Sequence, residues 1–252
     1  MIKGTLLKFI VSFCAFLLLW EIVILIKSEN GLLPRPIPVF SSISEILSNS
    51  KGLGIIAVSI LSILKSLFYI TILGVLLGLI LGYFKKSYEY LSGLLSYFRS
   101  IPPIVLFPLF AFVLFGNSET ARVACACFGC IPLIIVTIAD CIHKIPEEKL
   151  EFAKLINADS WFVIKNIYFY ELLPNILLGL RLATSFCIII IIVTEMIDAG
   201  VNGGIGAEII SARMNSDYNL QFAYILIIGL IGFLLNELIF LIERKTVKWI
   251  NR

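Results

Sequence analysis

The sequence predicts an all-α membrane protein of about six transmembrane helices, with a helical hairpin between helices four and five. Three observations carry that prediction. The 252 residues are 60% hydrophobic and only 15% charged, with a mean hydropathy of +1.02. A soluble domain carries about 25% charge and roughly 45–50% apolar residues, so the excess must face lipid. Six apolar runs each approach or exceed the ~20 residues that a bilayer requires. Lysine and arginine then separate by side. With an inner N-terminus, thirteen of the 20 fall on the cytoplasmic side and five outside (Lys27, Arg35, Lys51, Arg122 and Arg213). Lys65 and Arg181 stay within spans, and both termini are cytoplasmic by the positive-inside rule. The whole chain, 1–252, reads as one membrane domain.

The first span, Thr5–Ile26, begins after Lys3 and contains an apolar run, Phe9–Ile26, longer than the apolar core of a secretory signal. No small-x-small cleavage site follows it, so an uncleaved span is expected. The second, Ile55–Phe84, carries Gly74, Gly78 and Gly82 at steps of four. They share one helix face and predict a close helix–helix contact. The third, Leu91–Phe115, contains Ile101-Pro102-Pro103 and Pro108. Proline removes backbone donors and breaks or kinks a helix there. The freed carbonyls are tolerated at membrane depth only under protein or beside a cavity, which places this span toward the bundle interior.

The fourth span, Glu119–Ile142, holds Cys125, Cys127 and Cys130. Zinc normally needs four ligands, and no nearby histidine or further cysteine completes a set, so these read as small packing residues. Cys14, Cys141 and Cys187 also sit in apolar runs, unlike a disulfide scaffold. The only histidine, His143, ends this span without a catalytic partner in sequence. The fifth span, Asn175–Asp198, holds Arg181 and Glu195, and ionisable residues inside a span are costly and usually functional or paired. Arg181 either snorkels to the cytoplasmic interface or pairs with another helix. Glu195 and Asp198 share a face near the outer end, lining a vestibule or, as the favoured reading, solvated at the interface. The segment Ala199–Gly206 has four glycines in eight residues; Gly203, Gly204 and Gly206 suit either a gate-forming turn or a flexible loop. A short interfacial helix is expected over Ala207–Arg213, before the sixth span, Phe222–Ile242.

Between spans four and five, residues 144–174 are too long and too patterned for a plain connector. Pro146-Glu147-Glu148 reads as a helix start. Leu150, Ala153, Leu155 and Ala158 form one apolar stripe, and Trp161 to Phe169 make a second helical run. Asp159 or Ser160 is placed to cap that second helix. The expected unit is two short helices on the inner membrane face, either a simple amphipathic anchor or a contact for a soluble partner.

The chain lacks Gly-x-x-x-x-Gly-Lys-Ser/Thr, so it offers no phosphate-cradling loop and is not expected to hydrolyse ATP. No aspartate cluster suggests a diphosphate-binding transferase. A net charge of +3 is too weak to argue for a polyanionic partner. Transport fits better than catalysis.

Glu151-Phe152-Ala153-Lys154-Leu155-Ile156-Asn157-Ala158, with Leu172-Leu173-Pro174, resembles the EAA coupling loop of ABC importer permeases. Glu151, Ala153 and Ile167 match their places in that pattern. Phe152 replaces the first alanine, Asn157 the glycine, and Phe169-Tyr170 stands where Leu-Pro is expected. Asparagine is the side-chain-bearing residue that best tolerates a left-handed turn, so Asn157 preserves the bend. Leu33-Pro34-Arg35-Pro36, Arg99-Ser100-Ile101-Pro102-Pro103, Gly179-Leu180-Arg181, Glu195-Met196 and Gly203-Gly204-Ile205-Gly206 extend the resemblance to the permeases of nitrate, sulfonate, taurine and bicarbonate importers.

The resemblance implies a non-catalytic permease in a bacterial cytoplasmic (inner) membrane that pairs with a second copy, a homodimer around a translocation path. It implies cytoplasmic ATPase subunits, which alone bind ATP and Mg, an extracytoplasmic solute-binding protein, and a small anionic or polar organic solute. Glu151, Ala153, Asn157, Ala158, Leu173 and Pro174 would serve ATPase coupling. Pro102, Pro103, Arg181 and Glu195 would face the path, and Gly203, Gly204 and Gly206 would form the gate turn. An ion-gradient-driven secondary transporter and a non-transporting scaffold are the alternatives.

Overall fold

The computed structural model describes residues 2–27, 33–116, 118–198 and 203–247, and the regular elements among them are all helical. Helix α1 (Ile2–Lys27) precedes α2 (Pro36–Ser48), α3 (Ser50–Tyr83) and α4 (Lys85–Ser100). A 3-10 turn over Pro103–Leu106 and a π-helical stretch over Leu109–Phe115 lead to α5 (Ser118–His143). Then follow α6 (Glu147–Leu155), α7 (Ser160–Val163), α8 (Phe169–Ile197), α9 (Ile205–Met214) and α10 (Tyr218–Thr246). Among the described residues, Ser50–Tyr83, Ser118–His143, Trp161–Ile197 and Tyr218–Thr246 are long and apolar enough to cross a membrane, and Cys14–Ile26 is a shorter apolar stretch.

The centre of the bundle is α3, α5 and α8. Glycine spacing sets the first contact. Gly74, Gly78 and Gly82 lie against Ile134, Ile138 and Ile142 of α5, where an added Cβ would come within 2.8, 2.9 and 2.4 Å of those side chains. Because both sets of numbers rise together, α3 and α5 run parallel. The expected close-contact face is therefore present, and it ties helices two and four. Helix α8 returns antiparallel to both, burying Ala183, Cys187, Ile190 and Ile191 against Ile63, Cys125, Cys130 and Ile134. The small cysteines fill this core as apolar side chains do. A second apolar cluster, with Trp20, Val39, Ile46, Ile205, Tyr224 and Ile227, joins α1, α2, α9 and α10. Trp20 Nε1 also donates to the carbonyl of Pro34 at 3.1 Å.

Outward-facing side chains are as apolar as the core: Leu61, Phe68, Leu76, Leu230, Leu234 and Leu238 are all exposed. Such a surface suits hydrocarbon, where helices satisfy their own backbone.

One expected break is present and one expected element differs. The third span, Leu91–Phe115, is interrupted at its prolines as expected. Helix α4 stops at Ser100, the chain turns through Ile101-Pro102, and a π-helical stretch completes the passage. Proline at 102, 103 and 108 removes three donors, so an unbroken ladder is impossible. The element that differs is the second helix of the 144–174 segment, which is not separate from the fifth span. Helix α7 continues through a π turn at Ile164–Tyr168 into α8, with Pro174 inside the helix. The Glu171 carbonyl beside that proline accepts from Asn175 Nδ2 at 3.1 Å and Cys141 Sγ at 3.4 Å. The Cys141 bond ties α8 to α5 one turn from the proline.

Candidate functional site

One end of the bundle is built around α6. Glu147 and Glu148 occupy its first turn, where negative charge complements the helix dipole. Its far end closes on Asn157, whose φ is +50°. The Ala158 amide donates to the Ala153 carbonyl at 2.9 Å and the Asn157 amide to that of Lys154 at 3.0 Å, the paired bonds of a Schellman ending. Asp159 Oδ1 then accepts from the Phe162 amide at 3.1 Å and caps the next helix. The bend expected at Asn157 is in place, and Asp159 is a cap of the helix beyond it.

This corner buries Ala153 and leaves large apolar groups outside. Phe152, Leu155, Trp161 and Ile164 are exposed, Glu151 is exposed beside them, and Lys149 pairs with Glu171. Phe152, Ala153, Phe162, Ile167 and Tyr170 line a groove of about 590 Å³. Leu173 packs with Leu177, Ile239 and Val247, so it supports the corner from behind. An exposed apolar face of this kind suits either lipid or a docking partner.

Nearby, Arg181 pairs with Glu243 of α10 at 3.3 Å and its guanidinium lies 5.4 Å from the Phe240 ring centroid. Of the two readings, pairing with another helix is the one realised. Its side chain remains 38% exposed. His143 Nε2 lies 3.0 Å from the Gly82 carbonyl, linking the ends of α5 and α3.

The opposite end is built around α9, the short helix expected over Ala207–Arg213. Residues 199–202 of the glycine segment lie outside the described residues, but Gly203, Gly204 and Gly206 are described. Gly204 precedes α9 without a side chain to cap it. Ser59 of α3 and Glu195 of α8 supply the caps: Ser59 Oγ accepts from the Ile205 amide at 2.8 Å, and Glu195 Oε2 from the Gly206 amide at 2.9 Å. Ser59 Oγ donates to the Glu195 carboxyl group, whose two oxygens lie 2.9 and 2.8 Å away. Arg122 of α5 reaches Glu195 at 3.7 Å and Asp198 at 3.2 Å.

Glu195 is 1% exposed, which overturns the expectation that it is solvated at the interface. Asp198, its neighbour, stays at the partly open edge. Arg122, counted among the outer basic residues, is likewise 1% exposed. Neither Ser59 nor Arg122 was singled out from sequence. The available signal was an arginine lying inside the expected Glu119–Ile142 span, where a charge implies a partner.

Between the two ends, the proline turn lies on α5. A Cβ at Gly129 would come within 2.5 Å of the Pro103 ring. Pro102, Val105, Phe112 and Val113 are exposed on the other side, so the turn edges the bundle rather than filling its interior within one chain.

Residues 74–248 match the family of binding-protein-dependent transport system inner membrane components. The putative aliphatic sulfonates transport permease protein SsuC of Bacillus subtilis is 27% identical over 219 residues, covering 87% of this chain and 78% of the relative. The nitrate import permease protein NrtB of Synechococcus elongatus is 26% identical, covering 98% and 88%. Among solved structures, an inward-facing MetNI methionine ABC transporter chain superposes with a TM-score of 0.62 at 16% identity, covering 78% of this chain and 98% of that one.

Proposed function

The chain belongs to the family of binding-protein-dependent transport system inner membrane components and is a permease subunit of an ABC importer; from that premise we propose how it is arranged and driven. It spans the membrane six times with both termini cytoplasmic, and two copies enclose the path. The α6–α7 corner is the coupling hairpin and lies inside the cell. Separate subunits bind ATP and Mg, close on Phe152, Leu155 and Trp161, and move the corner. An extracytoplasmic binding protein delivers the solute, a small anion or polar organic anion by the names of the nitrate and sulfonate relatives.

The observation that carries the path is the broken third span. Backbone freed at Ile101-Pro102 must be covered by protein or face a water-filled cavity, yet Pro102 is exposed in the single chain. A second copy across an aqueous route satisfies that requirement. Arg181, half-open, and Pro102 and Pro103 are the residues proposed to face the route. The alternating direction of α3, α4, α5, α8 and α10 supports six passages, with α1 as the first. The basic ends, Lys85, Lys86, Lys144, Arg244 and Lys245, gather at the α6 end, which supports placing that end in the cytoplasm.

Affinity capture of the tagged permease from its native membrane tests the reading. An ATPase and a binding protein are expected to co-purify, and Ala153→Trp or Glu151→Lys is expected to lose solute-stimulated ATPase while membrane insertion survives. Full stimulation in both variants removes the corner from the coupling contact. Arg181→Ala is expected to lower nitrate or alkanesulfonate uptake; wild-type uptake leaves Arg181 to its Glu243 pair alone.

A further inference from the structure

We propose that Glu195 is a positioning residue that fastens α9 to α3, α5 and α8, so that this outer corner moves as one body and the path opens between copies rather than at the glycine turn. The inference rests on the chain being a permease that changes shape in each cycle.

A gate must exchange its contacts for water as it swings. At the start of α9 that exchange is obstructed at every contact. The Ile205 and Gly206 amides are held by Ser59 and Glu195, which come from two other helices. Moving α9 away strips both donors and leaves the Glu195 carboxylate, 1% exposed, with fewer bonds in an apolar setting, an expensive state for a charge. The backbone has no slack either. A Cβ on Gly204 would fall 2.4 Å from the Glu195 carboxyl carbon, and one on Gly206 would fall 2.2 Å from the Ile192 carbonyl oxygen. Helix α9 therefore rests on α8 backbone to backbone, with the Glu195 side chain filling the remaining gap. Arg122 extends the same group of charges to α5 and, through Asp198, to the end of α8. Four helices from distant parts of the chain meet at one carboxylate. The apolar side of α9, Ile205 and Ile209, adds burial against Val39 and Tyr224.

This assignment differs from a solute contact. Glu195, Ser59 and Arg122 are each no more than 1% exposed, so within the chain none presents a surface to a passing ion. Ser59 and Glu195 bond to each other and to the α9 amides, and Arg122 pairs with Glu195 and Asp198.

The test uses the permease with its co-purified partners in lipid nanodiscs. Cys14→Ser removes the exposed native thiol. Spin labels go on Lys51→Cys at the start of α3 and Met214→Cys at the end of α9, both exposed positions. Labelled chain is diluted with unlabelled chain, so that only the intrachain distance is read. Between the nucleotide-free and ATP–vanadate states, the expected shift stays within the ~2 Å of ordinary helix adjustment, far below the ~5 Å of a one-turn displacement. Ser59→Ala and Glu195→Ala are expected to broaden the distance distribution, and Glu195→Gln, which keeps a carbonyl acceptor for Gly206, to restore most of its width. A one-turn shift in the unmutated pair, or a distribution as narrow in Ser59→Ala as in wild type, overturns the proposal. The wild-type and Ser59→Ala comparison needs no nucleotide and no solute. It therefore decides the fastening even if no ATPase co-purifies, the result that would instead defeat the importer arrangement.

Discussion

The two ends of this bundle solve opposite problems. At the α9 end, polar groups are buried and bonded to each other: Ser59, Arg122 and Glu195 are all within 1% of full burial. At the α6 end, apolar groups are left in the open: Phe152, Leu155 and Trp161 are 62%, 81% and 68% exposed. Hydrogen bonds and ion pairs between helices hold those helices in one arrangement. An open apolar face lowers its free energy only against lipid or another surface. The first end is held by contacts within the chain and the second leaves apolar groups uncovered, so mutations should damage stability at the first and, on the proposed coupling role, partnership at the second.

The largest effect should come from breaking the charged group. Arg122→Met leaves Glu195 buried without its cation, a loss of about 3–5 kcal/mol, read as a fall in the detergent-solubilised unfolding temperature. Adding Glu195→Gln should recover part of it, and strictly additive losses would separate the two residues. Next is Gly206→Ala, whose Cβ would meet the Ile192 carbonyl oxygen at 2.2 Å; overpacking of this kind costs about 1–3 kcal/mol. A neutral result would show that α9 is free to shift.

At the other end, Asn157→Ala places a less tolerant side chain at φ +50° and should cost about 1–2 kcal/mol, with Asn157→Gly close to wild type in the same melt. Phe152→Ser with Leu155→Ser should change stability least, within about 0.5 kcal/mol, while reducing ATPase capture in a pull-down. If those exposed substitutions unfold the protein instead, the contrast between the ends fails.

Sequence periodicity was enough to find the four long apolar helices and to forecast that Gly74, Gly78 and Gly82 meet another helix, because each signal lies within one helix. Asn157 was legible for the same reason: left-handed backbone is a local preference. The α9 lock was not. Ser59 and Glu195 are 136 residues apart, and nothing in either neighbourhood names the other. Arg122 was assigned by position near a span end, whereas its burial follows from Glu195 and Asp198 facing it. The contact of Cys141 with the Glu171 carbonyl was hidden likewise, since it joins two different helices.

One helical run, Trp161–Ile197, joins these contrasting ends. Its 37 residues make a rod of about 55 Å at ~1.5 Å per residue. A Cβ built on Gly179 would meet Thr137 of α5 no nearer than 3.6 Å, so the middle of the rod is packed at ordinary contact rather than wedged. Its far end is tied to α3, α5 and α9 through Glu195. Under the fastening proposed above, a push delivered near Trp161 would shift that whole corner together instead of bending the helix away from its neighbours.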